Sequence, residues 1–222
     1  MIERTWTRLA LAAVIALLAT AAQAVTIDLV PVGNPGNAND PQTGYGSVAE
    51  PYWIGKYEVT NAQWREFLNA KAAVGDPYGL YNTYMAGTYG GIARSGSGTQ
   101  QDPYVYTAKG GDSNWDNRPV NYVSFWDAAR FCNWLHNGQG NGDTETGAYI
   151  NIGNESTFAR QPGARYFIPT ENEWYKAAYY DPNKGGPGVP GYWDYPMMSD
   201  QPTVPSNDLI DPDPGCWGIL AR

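Results

Sequence analysis

Two cysteines and one histidine are all the thiol and imidazole chemistry that the 222 residues carry. His136 closes an apolar helical pattern, and no Ser-His-Asp or Cys-His set can be assembled around it. Zinc spacing is also lacking among Cys and His. At a helix end such as this one a cation would complement the dipole. Cys132 belongs to the same pattern and is expected as a buried free thiol, whereas Cys216 sits in a Pro/Gly-rich tail; an exported chain could join them in at most one disulfide. Glu171 and Glu173 resemble a carboxylate pair, but neighbours two apart on a helix do not converge, and Glu173 is needed for capping. Asn207 to Asp213 offers hard oxygen ligands suited to calcium without a recognised loop spacing, so a solvated turn is the simpler reading. These residues assign no catalytic and no cofactor-binding side chain, and they leave metal ligation undetermined.

The elements that would position such groups centre on Ala164 to Tyr180, ARYFIPTENEWYKAAYY. Tyr166, Phe167 and Ile168 read as a short buried strand, ended by Pro169, which has no donor for a ladder. Thr170 and Glu173 then form a capping box, each side chain reaching the other's amide. Trp174, Ala177 and Ala178 fall at i, i+3 and i+4 and predict a narrow apolar face, with Asp181-Pro182 as the stop.

The same strand-into-capped-helix pattern occurs twice upstream. Pro51 to Val59 is an aromatic strand that enters a helix through Thr60 and Gln63, and Trp64, Phe67 and Leu68 share one face up to about Ala73. Asn117 to His136 gives a short strand, a Ser124 cap with Asp127 at the third helical position, and an Ala128, Phe131, Cys132, Leu135 face. Further strands are expected at Val25 to Val32, Tyr104 to Ala108 and Ala148 to Ile152, with Tyr192 to Pro196 extended. Residues Tyr78 to Asn117 read as a hairpin or insertion, either a solvated loop or a binding surface. Short capped helices following short strands predict an α+β domain rather than a doubly wound one.

With 42% hydrophobic and 16% charged residues the chain is long enough for one folded domain. A net charge of −8 and a pI near 4.5, with no cluster of Lys or Arg, exclude a nucleic-acid partner. Nine Trp and 17 Tyr beside 26 Gly and 17 Pro predict a loop-rich fold filled by rings. Arg4 and Arg8 precede an apolar run from Leu9 to Ala22 and an Ala22-Gln23-Ala24 cleavage site, so residues 1–24 read as a signal peptide. An uncleaved anchor is the alternative. The mature domain, residues 25–222, is then secreted or periplasmic, with no membrane contact after cleavage.

Four ordered blocks, IGKYEVTNAQWREF from Ile54, RPVNYVSFWDAARFCNW from Arg118, YFIPTENEWYKAA from Tyr166, and Tyr192 to Pro196, together resemble the formylglycine-generating enzyme (sulfatase-modifying factor) family. The best-matching span is residues 51–196. The third block matches the family's R-L-P-T-E-x-E-W signature from Pro169 onward, with Phe167 where arginine is usual. The resemblance implies a C-type-lectin-like fold, with short capped helices around a small antiparallel sheet. It also implies oxidation of a cysteine in a sulfatase's C-x-P-x-R motif, using molecular oxygen and copper held by two thiolates, with calcium as a further family metal.

The family's G-N-V-W-E-W and R-G-G-S-W blocks, which surround that chemistry, have no counterpart here. Residues 216–222 depart from the family pattern, which predicts a domain incomplete at the C-terminus through a frameshift or early stop near Gly215. The expectation is therefore an exported family member without copper-oxidase activity. The alternative is a non-catalytic extracytoplasmic module that binds a glycan, protein or peptide through its Tyr/Trp/Gly-rich loops. Neither reading fixes the oligomeric state.

Overall fold

The computed structural model describes residues 24–202. The signal-peptide stretch up to residue 23, the acidic run 207–213 and Cys216 lie outside them. Three helices carry the frame: α1 (Asn61–Lys71), α2 (Phe125–His136) and α3 (Glu171–Tyr179). Each opens with a complete capping box, Thr60 with Gln63, Ser124 with Asp127 and Thr170 with Glu173. A cap of this kind satisfies amides that no helical carbonyl can reach and is worth about 1 kcal/mol.

Antiparallel pairing is distributed over four two-stranded pieces: β1 (Leu29–Val32) with β2 (Tyr52–Gly55), β3 (Ile92–Ser95) with β4 (Val105–Ala108), β5 (Tyr149–Ile150) with β6 (Ala159–Arg160), and β7 (Tyr180–Asp181) with β8 (Gly191–Tyr192). The expected strands at 25–32, 51–59, 104–108 and 148–152 are thus present in shortened form. Among the described residues Tyr166–Ile168 form no strand beyond a single bridge residue, Phe167, and side chains supply some of the partners. The Ile168 amide, for example, donates to the Tyr149 hydroxyl at 2.9 Å.

The helices hold the strands through asparagine amides that imitate a strand's own donor and acceptor. On α1, Asn69 Nδ2 donates to the Tyr106 carbonyl at 3.0 Å while the Tyr106 amide donates to Asn69 Oδ1 at 2.9 Å. On α2, Asn133 does the same for Tyr149, with bonds of 3.1 and 2.7 Å. Where the two helices start, the Asn61 amide donates to the Arg118 carbonyl and the Val120 amide to the Val59 carbonyl. These bonds tie the entry to α1 to the segment that leads into α2.

Between α1 and α2 lies the centre of the core. Trp64, Phe67, Phe131 and Trp134 form a ring cluster, with Phe67 at 5.2 Å from each of the other three centroids. Phe67 and Leu68 are fully buried, and burying a side chain of that size stabilises by roughly 1.5–3 kcal/mol. The Trp64, Phe67, Leu68 face of α1 is as the periodicity implied. That of α2 is wider: Ala129, Asn133 and Trp134 are buried as well, and Ala128 is only partly so.

Helix α3 departs from expectation. Its buried residues are Glu173 and Lys176, while Ala177 is exposed and Trp174 and Ala178 are half-buried. The reason is electrostatic pairing from outside the helix. The Arg160 guanidinium reaches both Glu173 oxygens at 3.0–3.1 Å, and Lys176 Nζ donates to the Asn34 carbonyl at 2.8 Å. Partnered this way, both charges are tolerated inside.

Candidate functional site

Cys132 is a free thiol with no exposed surface, in the middle of α2. Burial pushes its pKa far above that of an ordinary thiol, which removes the thiolate needed for nucleophilic or metal chemistry. His136 terminates the same helix and is partly buried. Its Nδ1 accepts the Arg165 amide at 3.1 Å, and the Arg165 guanidinium donates to the His136 carbonyl. Burial, and then the Arg165 charge, lower the His136 pKa. The cation that meets the α2 dipole is therefore Arg165, and His136 serves as an acceptor.

Glu171 is exposed at the first turn of α3, and Glu173 is committed to Arg160 and to the Thr170 amide at 2.7 Å. They do not converge. Arg160 also lies over the Phe167 ring, 4.2 Å from its centroid. A guanidinium brought from β6 thus occupies the neighbourhood of the position where the motif Pro169 to Trp174 is ordinarily preceded by arginine.

An open site forms instead at the start of α2. A cleft of about 550 Å³ runs between Tyr81, Asn82 and Thr83 on one side and Tyr122, Ser124 and Asp127 on the other. The Ser124 hydroxyl and amide both donate to Asp127 Oδ2, at 2.6 and 3.3 Å. Asp127 Oδ1 has Arg130 Nη1 at 3.7 Å, longer than a hydrogen bond. Arg130 is itself gripped by Glu145 at 2.8 and 3.3 Å and lies 4.6 Å from the centroid of the Tyr78 ring. Burial raises the Asp127 pKa; Ser124 and Arg130 oppose this, while the charge of Asp76 adds to it.

Tyr122 lines the cleft, and Tyr84, next to the lining residue Thr83, lies against it from outside the lining. Tyr122 has a φ of 60°, a left-handed conformation that a bulky side chain adopts only under constraint. It holds its ring 5.6 Å from that of Tyr84. Tyr84 is 68% exposed and Tyr122 37%. A second hollow, of about 680 Å³, lies beside Tyr57, but there the Lys56 ammonium already sits 5.2 Å from the ring centroid. In the sequence Tyr84 falls in the 78–117 segment, open to either a solvated loop or a binding surface, and Asp127 reads only as a cap, so the cleft itself is not legible there. The signal available was the density of tyrosine in 78–106 together with the Tyr122-Val-Ser-Phe-Trp run.

The family model described as the sulfatase-modifying factor enzyme 1-like domain matches residues 24–201. The chain belongs to the sulfatase-modifying-factor family. Its α+β build, with three capped helices and short antiparallel pairs, is that family's fold. A solved structure described as the crystal structure of CarF aligns with a TM-score of 0.43 and 21% identity, covering 83% of this chain and 69% of that one. A search of the curated proteins found no match.

Against the copper chemistry implied by sulfatase-modifying-factor membership, the residues present do not fit. A dithiolate site needs two accessible, ionisable thiols, and among the described residues the one cysteine, Cys132, is locked in the core. Among the described residues no group of three or more His, Cys, Asp or Glu converges as metal ligands would. No helix among them is long and apolar enough to cross a membrane.

Proposed function

We propose that this sulfatase-modifying-factor domain is exported and does not itself oxidise a sulfatase cysteine. The observation that supports the proposal is the burial of Cys132: held inside α2 with its pKa raised, that thiol is not available as a copper ligand. Export rests on the basic, apolar and small-residue pattern of residues 1–24. Titration of the mature chain with copper(I) against a chelator of known affinity tests the first part. The expected result is no stoichiometric uptake. One tightly held copper per chain, with Cys132 protected from alkylation, would overturn it. Sequencing the N-terminus of the secreted or periplasmic product tests the second, with Val25 as the expected first residue.

The cleft at the start of α2 favours a second reading, a non-catalytic extracytoplasmic binding module. Two exposed tyrosine rings, one held by a constrained backbone, beside a polar cleft form a surface whose rings are only partly used in internal packing. The two readings are compatible, since a domain without the oxidation chemistry can retain recognition. Loss of ligand uptake on substituting Tyr84, which contributes little to the core, is the observation that this second reading requires.

A further inference from the structure

We infer that the cleft between Thr83 and Asp127 is a saccharide subsite: it takes a neutral sugar ring, stacked on Tyr84 and Tyr122, with a hydroxyl donated to Asp127 Oδ1. The inference rests on the binding reading above and goes further by naming the ligand class. Its first support is the disposition of the rings. Tyr84 and Tyr122 lie 5.6 Å apart with their planes inclined at 35°, a tilted pair that leaves much of each ring in solvent. The C–H face of a pyranose is apolar and its edge is polyhydroxylated, which matches an aromatic pair beside a polar floor.

The floor supplies the second support. Asp127 carries two oxygens with different duties: Oδ2 accepts from the Ser124 amide and hydroxyl, whereas Oδ1 has, among the described residues, only the Arg130 guanidinium, beyond bonding distance. A carboxylate oxygen at the edge of a cleft can accept a hydroxyl without losing any bond it already makes. Arg130, held beside Asp127 by its fork to Glu145, offsets only part of the negative charge here, so a cation is the competing ligand that the test below includes. An anion is disfavoured by Asp127, Glu145 and Asp76 together. The cleft volume, about 550 Å³, lies within the range of small-molecule sites.

The other tyrosines nearby do not compete for this role. The Tyr81 ring is covered by the Arg94 guanidinium at 4.6 Å and its hydroxyl donates to the Ile92 carbonyl, so it is a wall. Tyr78 is occupied by Arg130. Only Tyr84 and Tyr122, among the tyrosines around this cleft, present rings to a ligand.

The test uses the whole mature chain and saturation-transfer NMR with neutral disaccharides of glucose, galactose, mannose and N-acetylglucosamine, with arginine methyl ester as a cationic control. The expected result is saturable binding of at least one disaccharide, weakened about tenfold or more by Tyr84→Ala. Tyr122→Gly, which keeps the left-handed backbone and deletes the ring, should weaken it by a similar factor. Both variants should keep the wild-type circular dichroism, and Tyr84→Ala is chosen because its side chain is mostly exposed. Binding of the arginine ester but not of the sugars, lost in Tyr84→Ala, would overturn the saccharide assignment and leave the binding-module reading standing. Absence of binding for every probe would overturn both.

Discussion

The starts of α2 and α3 are built alike and finished differently. Each has a hydroxyl cap and an acidic residue at the third helical position, and each acid returns a bond to the cap's own amide. At α3 the acid, Glu173, is closed off by the Arg160 guanidinium at 3.0–3.1 Å. At α2 the acid, Asp127, keeps one oxygen without a close partner among the described residues and lines a cleft. The capping box therefore sets where a helix begins, and what lies beyond it decides whether the carboxylate is structural or available. That division can be broken at either end.

The largest effect should come from Glu173→Ala. It removes a cap bond and leaves Arg160 without its partner; because the Arg160 side chain is 35% exposed, the loss is kept below that of a fully buried pair. The expected destabilisation is about 3 kcal/mol, read from urea unfolding at neutral pH. A loss below about 1 kcal/mol would mean that the Arg160 fork is ornamental. Next is Cys132→Ser, which places a hydroxyl where a thiol has no exposed surface and should cost about 1–3 kcal/mol. Cys132→Ala should be the milder of the two, and in the wild type Cys132 should resist alkylation until the chain unfolds.

The smallest effect is expected from Asp127→Asn, within about 1 kcal/mol, since Asn can still accept from Ser124. Its pH dependence is more informative than its size. Burial raises the folded-state pKa of Asp127 above its ordinary value of 3.8, so the folded state holds this proton more tightly than the unfolded state does. The stability contribution is therefore complete below pH 3.8 and is lost as pH rises through the folded pKa, the opposite of a salt-bridged carboxylate. Unfolding curves for wild type and Asp127→Asn between pH 3.5 and 6.5 should show the wild type losing ground as pH rises. A gap that widened in favour of the wild type would show that Ser124 and Arg130 outweigh burial.

How much of this could be read from the sequence depends on how local the cause is. All three capping boxes were legible because the partners lie three residues apart and the geometry is fixed by the helix. The α1 face was legible for the same reason. The burial of Glu173 and Lys176 was not, because it depends on Arg160 and on the Asn34 carbonyl, groups brought to α3 by the path of distant loops. Periodicity points instead to Trp174, Ala177 and Ala178, of which Trp174 and Ala178 are half-buried and Ala177 is exposed. The cleft was illegible on similar grounds: Tyr84, in a 3-10 turn over Thr83–Ala86, and Tyr122 come from separate segments, and a positive φ at tyrosine has no sequence signature. Family membership was the most readable feature, since four ordered blocks specify it without any contact being known.

The ring cluster of Trp64, Phe67, Phe131 and Trp134 has a consequence for how this fold can be varied. Because those four side chains lock α1 to α2, and because Asn69 and Asn133 fasten β4 and β5 to the same two helices, the frame does not draw its rigidity from the loop tips. The exposed tip at 99–102 is then free to be rewritten as a combinatorial library while the helices act as an unchanging chassis, whereas Met85 and Gly90, both buried, bind 83–90 to the core. New recognition surfaces could be raised on this domain by exchanging loops alone.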